Sequence, residues 1–190
     1  MILDLLKNIR SHRSFTTHQL TKNELRYMIE GARYASCAKN SQNIRYVLIT
    51  DSKICDLIFS HCKFAGAITW NPKLSESPRG YILMCVEKNF KGNENLLYFD
   101  MGIASQNILL VANDLGYNGC IIGAFNKKEV EKIIDLDDSY YAYMLIALGK
   151  AQDIVSVVPT VCDNVSYSRI DNNHYVPTVS YTHLTLPTTP

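Results

Sequence analysis

Charge of a single sign is what this chain most lacks. Nineteen Lys and Arg stand against eighteen Asp and Glu, a formal net charge of +1, with no long run of either sign. A broad electrostatic footprint for nucleic acid or an anionic membrane is therefore absent. No segment approaches the roughly 18 apolar residues of a membrane span, and Asp4 interrupts the short apolar stretch at the N-terminus. The expectation is a soluble protein with neither a nucleic-acid nor a membrane partner. The five histidines are dispersed, none in a spacing such as HExxH, so no metal is expected. The six cysteines, at 37, 55, 62, 85, 120 and 162, form no CxxC pair and no zinc-type spacing. Several lie in apolar runs, where thiols act as small hydrophobes, and a reduced, cytoplasmic setting is expected.

What the chain does have is enough apolar material for one core. With 190 residues and 47% hydrophobic content it suits a single domain and is too short for two ordinary ones. Ile2 to Ile9 reads as a short helix, and Thr21-Lys-Asn-Glu24 is a capping-box pattern opening a second helix that runs to about Tyr34. Ile44 to Thr50, Tyr81 to Val86 and Tyr141 to Leu148 read as strands, and Ser52 to Ser60 as a helix. Asn126 and Glu129 cap another helix. This order predicts an α+β fold with a central sheet covered by helices on both faces. The acidic pair Asp137-Asp138 falls in a predicted turn, where it stops a helix rather than performing acid-base work.

The most informative stretch is Asp100 to Phe125. Apolar side chains run almost all round a helix from Met101 to Leu115, interrupted by Ser105, Gln106, Asn107, Asn113 and Asp114, which suits an interior helix or an interface. Gly116 and Gly119 are read as the positive-φ and turn positions between that helix and a strand, and Gly123 as a position where a flat ligand can approach the backbone.

Two polar constellations accompany it. Arg10-Ser11-His12-Arg13 places two guanidiniums and a hydroxyl within four residues at the end of the first helix. Alone, this reads more readily as a solvated basic turn. The second, Ala35-Ser36-Cys37-Ala38-Lys39-Asn40-Ser41-Gln42, lies between the second helix and the Ile44 strand.

Together these segments resemble the nitroreductase family of flavin mononucleotide (FMN) proteins over about residues 2 to 177. The long helix and strand are similar to that family's Gly-Ile-Ala-x-Gln-Asn helix and Gly-Gly-Cys-x-Ile-Gly strand; the basic tetrad is similar to its Arg-Ser-x-Arg-x-Phe. The loop is similar to Ala-Pro-Ser-Ala-x-Asn-x-Gln. The resemblance implies a three-layer α/β/α sandwich with a mixed, mostly antiparallel central sheet. It assigns Arg10, Ser11 and Arg13 to the flavin phosphate and ribityl region, with His12 as the variable position. Arg matches phosphate oxygens with charge-assisted hydrogen bonds, and Ser adds a neutral donor. Cys37, Asn40 and Gln42 are implied to reach a flavin held by a neighbouring subunit, the two amides suiting the donor and acceptor edge of an isoalloxazine. Backbone near Ile121, Ile122 and Gly123 is implied to meet the flavin N5 edge.

Departures from the pattern are specific. Ser36 replaces a stiffening proline, and Cys37 replaces a serine, leaving a structural or weakly bonding thiol rather than a nucleophile as the favoured reading. His174-Tyr175-Val176-Pro177 is followed by Thr178 and Val179, where similar nitroreductases carry a Lys-Arg pair that helps hold the phosphate. Residues 175 to 190 contain no Asp, Glu, Lys or Arg and are crowded with Thr and Pro. The end of the chain resembles a conceptual translation of a sequencing-library adapter. Residues 1–177 are accordingly expected to form one FMN-binding domain, with 178–190 a non-native tail.

The function implied is a homodimeric enzyme, flavin at its interface, that takes hydride from NADH or NADPH and passes electrons to a nitroaromatic, quinone or similar small-molecule acceptor. No side chain is assigned a catalytic acid or base role, because the cofactor carries the chemistry. The aromatic segment Phe64 to Pro72, with Trp70, suits either the substrate mouth or ordinary packing. A flavin-binding sensor or carrier without turnover is the alternative. A flavin-cannibalising or dehalogenating relative would need lid segments for which this chain leaves little room.

Overall fold

In the computed structural model, which describes residues 2–161 and 164–179, helices and strands alternate until the chain closes in strands. In order they are α1 (Ile2–Asn8), α2 (Lys22–Arg33), β1 (Arg45–Ile49), α3 (Ser52–Phe59), β2 (Gly80–Glu87) and α4 (Glu94–Asp114). There follow β3 (Asn118–Ile122), α5 (Lys127–Ile133), β4 (Tyr140–Gly149), β5 (Ile154–Pro159), β6 (Ser168–Ile170) and β7 (Asn173–Thr178).

β2 organises the molecule. It is buried from Gly80 to Val86, which is why it reads as an unbroken apolar run rather than an alternation. It pairs antiparallel with β1 and β4, and β4 pairs antiparallel with β3, giving the order β1-β2-β4-β3. Successive side chains point to opposite faces. Ile82, Met84 and Val86 pack with Leu25 and Met28 of α2 and Met101 and Ile108 of α4. Tyr81, Leu83 and Cys85 pack with Cys55 and Ile58 of α3 and Val130 of α5. This is the α/β/α sandwich expected. Burial pushes the thiols of Cys55, Cys62, Cys85 and Cys120 up to about 12, so they remain protonated and serve as apolar filler.

The sequence-based boundaries agree within one residue at most of the elements. The long helix differs. It starts seven residues before Met101, because the Asn93 side chain accepts from the amides of Asn95 and Leu96 and caps a new first turn. Gly116, at φ 78°, ends the helix as expected. Gly119 does not turn the chain. It lies within β3, where a Cβ would stand 2.2 Å from the Ala147 carbonyl oxygen, so its role is close strand packing. The reading of Asp137 as a turn residue matches the structure, its carboxylate accepting from the Ser139 amide ahead of β4.

The sequence does not announce the C-terminal sheet. β7 lies between β5, to which it is parallel, and β6, to which it is antiparallel. Thr178, expected to begin the tail, pairs with Pro159 and accepts from the Thr160 amide. Residues 180–190 of that tail lie outside the described residues.

Candidate flavin site

The chain leaving α1 runs along the outer edge of β3. His12 N donates to the Gly119 carbonyl at 3.1 Å, and Phe15, fully buried, bridges to Ala151. Arg10 and Ser11 stand just before the first of these anchors and Arg13 just after it. Arg13 Nε donates to the Phe64 carbonyl at 2.6 Å, and Nη1 to the Ser11 carbonyl at 3.0 Å and to His174 Nε2 at 3.3 Å. Its guanidinium also lies 5.3 Å from the Tyr167 ring centroid.

A buried carboxylate organises this segment. Asp153 accepts from His12 Nδ1 at 2.9 Å, from the Arg13 amide at 3.0 Å and from Arg169 Nη1 at 3.3 Å. Burial pushes its pKa up, but the bonds from His12 and the Arg13 amide and the charges of His12 and Arg169 outweigh that and hold it below the ordinary value. Arg169 also donates to Ser14 Oγ at 3.1 Å and stacks 3.9 Å over the Trp70 ring. Trp70 has a packing role in this structure. It packs beneath Arg169 and lines an open pocket of about 440 Å³ with Lys63, Ala65 and Ile68.

Sequence reasoning missed His12, Asp153, Arg169 and His174 as members of this cluster. His12 occupies the variable position of the motif, and Asp153 is 141 residues from it, so no local spacing joins them. His174, buried beside Tyr167, has its pKa lowered to about 4, first by burial and then by the Arg13 charge, and is neutral at neutral pH.

The donor set fits a phosphate monoester. Arg10 Nε, Arg169 Nε and His174 Nδ1 are buried without a hydrogen-bond partner. Ser11 Oγ and Arg13 Nη2 have no protein partner among the described residues. A buried donor without a partner costs about 1–3 kcal/mol, and among the described residues only the Arg169 guanidinium is paired with the buried Asp153 carboxylate, which Arg13 meets through its backbone amide. An anion would satisfy both the donors and the charge.

The strand end supplies an edge. Arg79 N donates to the Leu148 carbonyl on the β2 side, so Leu148 faces away from β3 and its partner Gly119 presents its backbone outward. By alternation Ile121 and Gly123 also face outward, whereas Ile122 bonds towards Leu145 and buries its side chain. Ile121 is partly exposed, and the space before Gly123 is open.

The Cys37–Gln42 loop is held elsewhere. Lys39, Asn40 and Gln42 adopt φ of 55°, 51° and 47°, left-handed conformations that cost free energy in non-glycine residues, with Ser41 right-handed between the last two. Asp100, buried on α4, over-determines it. Its carboxylate accepts from the Ala38 amide at 2.8 Å and from the Cys37 thiol at 3.3 Å, while the Gln42 amide donates to Cys37 Sγ at 3.2 Å. Cys37 thus does the work of a hydroxyl. Gln42 Nε2 donates to Asn40 Oδ1 at 3.0 Å, and both side chains are exposed at the mouth of a cavity of about 460 Å³ bounded by Arg33 and Tyr46. Among the described residues, no hydrogen bond or ion pair joins this loop to Arg10–Arg13 or to β3.

Comparison with known proteins gives a consistent picture. Residues 6–150 match the model of the Nitroreductase family. YodC of Bacillus subtilis strain 168, which carries the name of an NAD(P)H nitroreductase, is 25% identical over 179 residues, covering 78% of this chain and 89% of that protein. The solved FMN-dependent nitroreductase of Clostridium difficile R20291 shares the fold with a TM-score of 0.64 at 19% identity, covering 80% of this chain and 88% of its own. NfrA1 of Bacillus megaterium does so with a TM-score of 0.68 at 16% identity, covering 88% and 73%.

Proposed function

The chain belongs to the nitroreductase family, and from that premise we propose that it is an FMN-dependent oxidoreductase passing hydride from NADH or NADPH to a nitroaromatic, quinone or similar small acceptor. The observation that supports this reading is the set of buried nitrogens without a hydrogen-bond partner on Arg10, Arg169 and His174, of which His174 contacts Arg13. When bound, the flavin supplies the two-electron chemistry, and the protein binds, orients and shields it. Arg10, Ser11 and Arg13 hold the phosphate, and the outward backbone of Ile121 and Gly123 meets the ring edge, with Ile122 anchoring the strand from beneath. No side-chain acid or base is given a catalytic role.

Cys37 shapes the loop, and Asn40 and Gln42 present their amides to a flavin held by a second copy of the chain, which accounts for their separation from Arg10–Arg13. A homodimer is supported by the apolar side chains exposed on α1 and on the outer face of α4, two helices in contact. Residues 1–177 are read as one FMN-binding domain, with 178–190 a non-native tail. Among the described residues, no helix is long and apolar enough to cross a membrane, and no group of three or more His, Cys, Asp or Glu is placed to hold a metal ion. The free thiols among them support a reducing, cytoplasmic setting.

The test is the visible spectrum during FMN titration, followed by anaerobic NADH or NADPH. A perturbed flavin band that bleaches with either reductant is expected. Binding without bleaching would make the protein a flavin carrier or sensor, and a free-flavin spectrum throughout would overturn the reading.

A further inference from the structure

We propose that Lys63 makes this site selective for acceptors that carry a negative charge, pairing with a carboxylate, phenolate or similar anionic group on a planar ring held beside Trp70. The proposal rests on the oxidoreductase reading above and deepens it by naming the acceptor class.

The pocket, of about 440 Å³, is built from a single loop, with Lys63, Ala65, Ile68, Thr69, Trp70 and Asn71 in its wall. Its size suits a small molecule. Backbone contacts set it beside the proposed flavin. Lys63 N donates to the carbonyl of Ala124, the residue after the Gly123 edge, at 2.9 Å, and the Phe64 carbonyl accepts from Arg13 Nε at 2.6 Å. Cys62 extends the same antiparallel approach by bridging to Phe125. Lys63 is thus tied on one side to the proposed ring edge and on the other to the phosphate-holding segment.

Charge in this pocket has one sign. Lys63 is the one charged side chain in its wall, it is exposed, and among the described residues no carboxylate is paired with it. From Leu57 to Ser75 the chain carries no Asp or Glu. The neutral groups favour an acceptor as well. Asn71 Oδ1 is engaged by the Phe64 amide at 3.3 Å, which leaves the Asn71 NH2 to donate, and Thr69 adds a hydroxyl. Ala65 and Ile68 supply apolar surface for a ring. The Arg169 guanidinium lies 3.9 Å over Trp70, so the indole already holds one cation. That cation draws on the negative face of the ring and disfavours a second, cationic ligand against it. A flat anion is the ligand this wall complements.

Trp70 is the only tryptophan of the chain, so its fluorescence reports occupancy of this pocket with or without flavin. The experiment titrates the full chain, Lys63→Met and Lys63→Arg with 4-nitrobenzoate and with its neutral counterpart 4-nitrobenzamide, reading saturable quenching of Trp70. It then measures kcat/KM for both compounds with FMN and either NADH or NADPH. Met keeps the apolar stem and removes the charge, and because Lys63 is exposed neither replacement enters the core. We expect the unmodified chain to favour the acid over the amide about three- to tenfold in both readouts. Lys63→Met should lose that preference, Lys63→Arg should keep it, and added salt should shrink it. An acid-to-amide ratio that Lys63→Met leaves unaltered, or no saturable quenching by either compound, would overturn the proposal. So would a Lys63→Met effect confined to NADPH relative to NADH, which would assign the charge to the phosphate of the reductant. A chain that shows the Lys63-dependent quenching preference but neither binds FMN nor turns over would keep Lys63 as the anion-selecting residue and discard the oxidoreductase reading. One that reduces acid and amide equally well would keep the enzyme and discard the selectivity.

Discussion

His12 Nδ1 donates to Asp153 Oδ1 at 2.9 Å, tying the segment after α1 to the start of the C-terminal sheet across 141 positions of sequence. The same carboxylate faces Arg169 at 3.3 Å with both side chains almost fully buried. Removing one partner of such a pair leaves the other charge buried and uncompensated. Asp153→Asn is therefore expected to destabilise the chain by about 3–5 kcal/mol, read as a lower urea midpoint. Because the folded pKa of Asp153 lies below its ordinary value of 3.8, its contribution is present above that value and is lost as pH falls through the folded value. The variant should lack that acid-side loss; an unchanged midpoint would contradict the assignment.

His174 titrates in the opposite chemical sense with the same direction of effect. Its pKa falls from an ordinary 6.5 to about 4, so between those values the unfolded chain binds a proton that the folded chain refuses. Stability should rise with pH from about 4 to 6.5 and be fully present above. The charged and titratable groups that face His174 are Arg13, Arg169, His12, Asp153 and the Tyr167 ring. His174→Phe removes this proton, and its unfolding free energy should be flatter across that window than that of the unmodified chain. An identical slope in both would assign the pH dependence to another group.

The features legible in sequence are those with local causes. Thr21 and Glu24 form the capping box their spacing suggests, the Thr21 amide reaching Glu24 Oε2 at 2.7 Å and Thr21 Oγ1 accepting from the Glu24 amide. β2 is visible as an apolar run because both of its faces are covered. β6 is three residues long, and β5 and β7 each carry a proline, so the C-terminal sheet offers neither length nor clean alternation. Arg10, Ser11 and Arg13 are noticed only through a resemblance, since two arginines and a serine beside a helix end have many uses. Asp153 and Arg169 carry no motif at all. Their meaning lies in partners that only the folded chain brings to them, as does that of Asp100, whose carboxylate fixes a loop more than sixty positions away.

Gly119 and Gly123, four residues apart, should behave in opposite ways. A Cβ on Gly119 would lie 2.2 Å from the Ala147 carbonyl oxygen and 2.9 Å from Leu148 Cδ2, and the first of these is backbone that no rotamer change can move aside. Gly119→Ala is expected to cost about 1–3 kcal/mol or more. A Cβ on Gly123 meets nothing within 4 Å, so Gly123→Ala should leave stability within about 0.5 kcal/mol. If the proposed flavin lies against that edge, Gly123→Ala should still weaken FMN binding. Urea midpoints and FMN titrations of both variants separate a packing glycine from a ligand-facing one, and a Gly123→Ala chain with unaltered FMN affinity would remove Gly123 from the site.

The outer face of α4 gives the last expectation. Leu96, Phe99 and Ile103 recur at helical spacing and are 39%, 67% and 42% exposed, with Leu3 and Leu6 of the adjoining α1 also open to solvent. Leu96 shares a pocket wall with Lys39 and Ser41, so this stripe continues into the loop that carries Asn40 and Gln42. If a second copy covers the stripe, Phe99→Glu places a carboxylate in the middle of an apolar contact and should convert a dimer to a monomer in size-exclusion chromatography with light scattering. The monomer should also lose FMN affinity, because the amides of Asn40 and Gln42 then reach no partner's flavin. Since Phe99 is largely exposed within one chain, its replacement should leave the fold of that chain intact by circular dichroism. An unmodified chain that runs as a monomer and still binds FMN tightly would show that Asn40 and Gln42 are not needed across an interface.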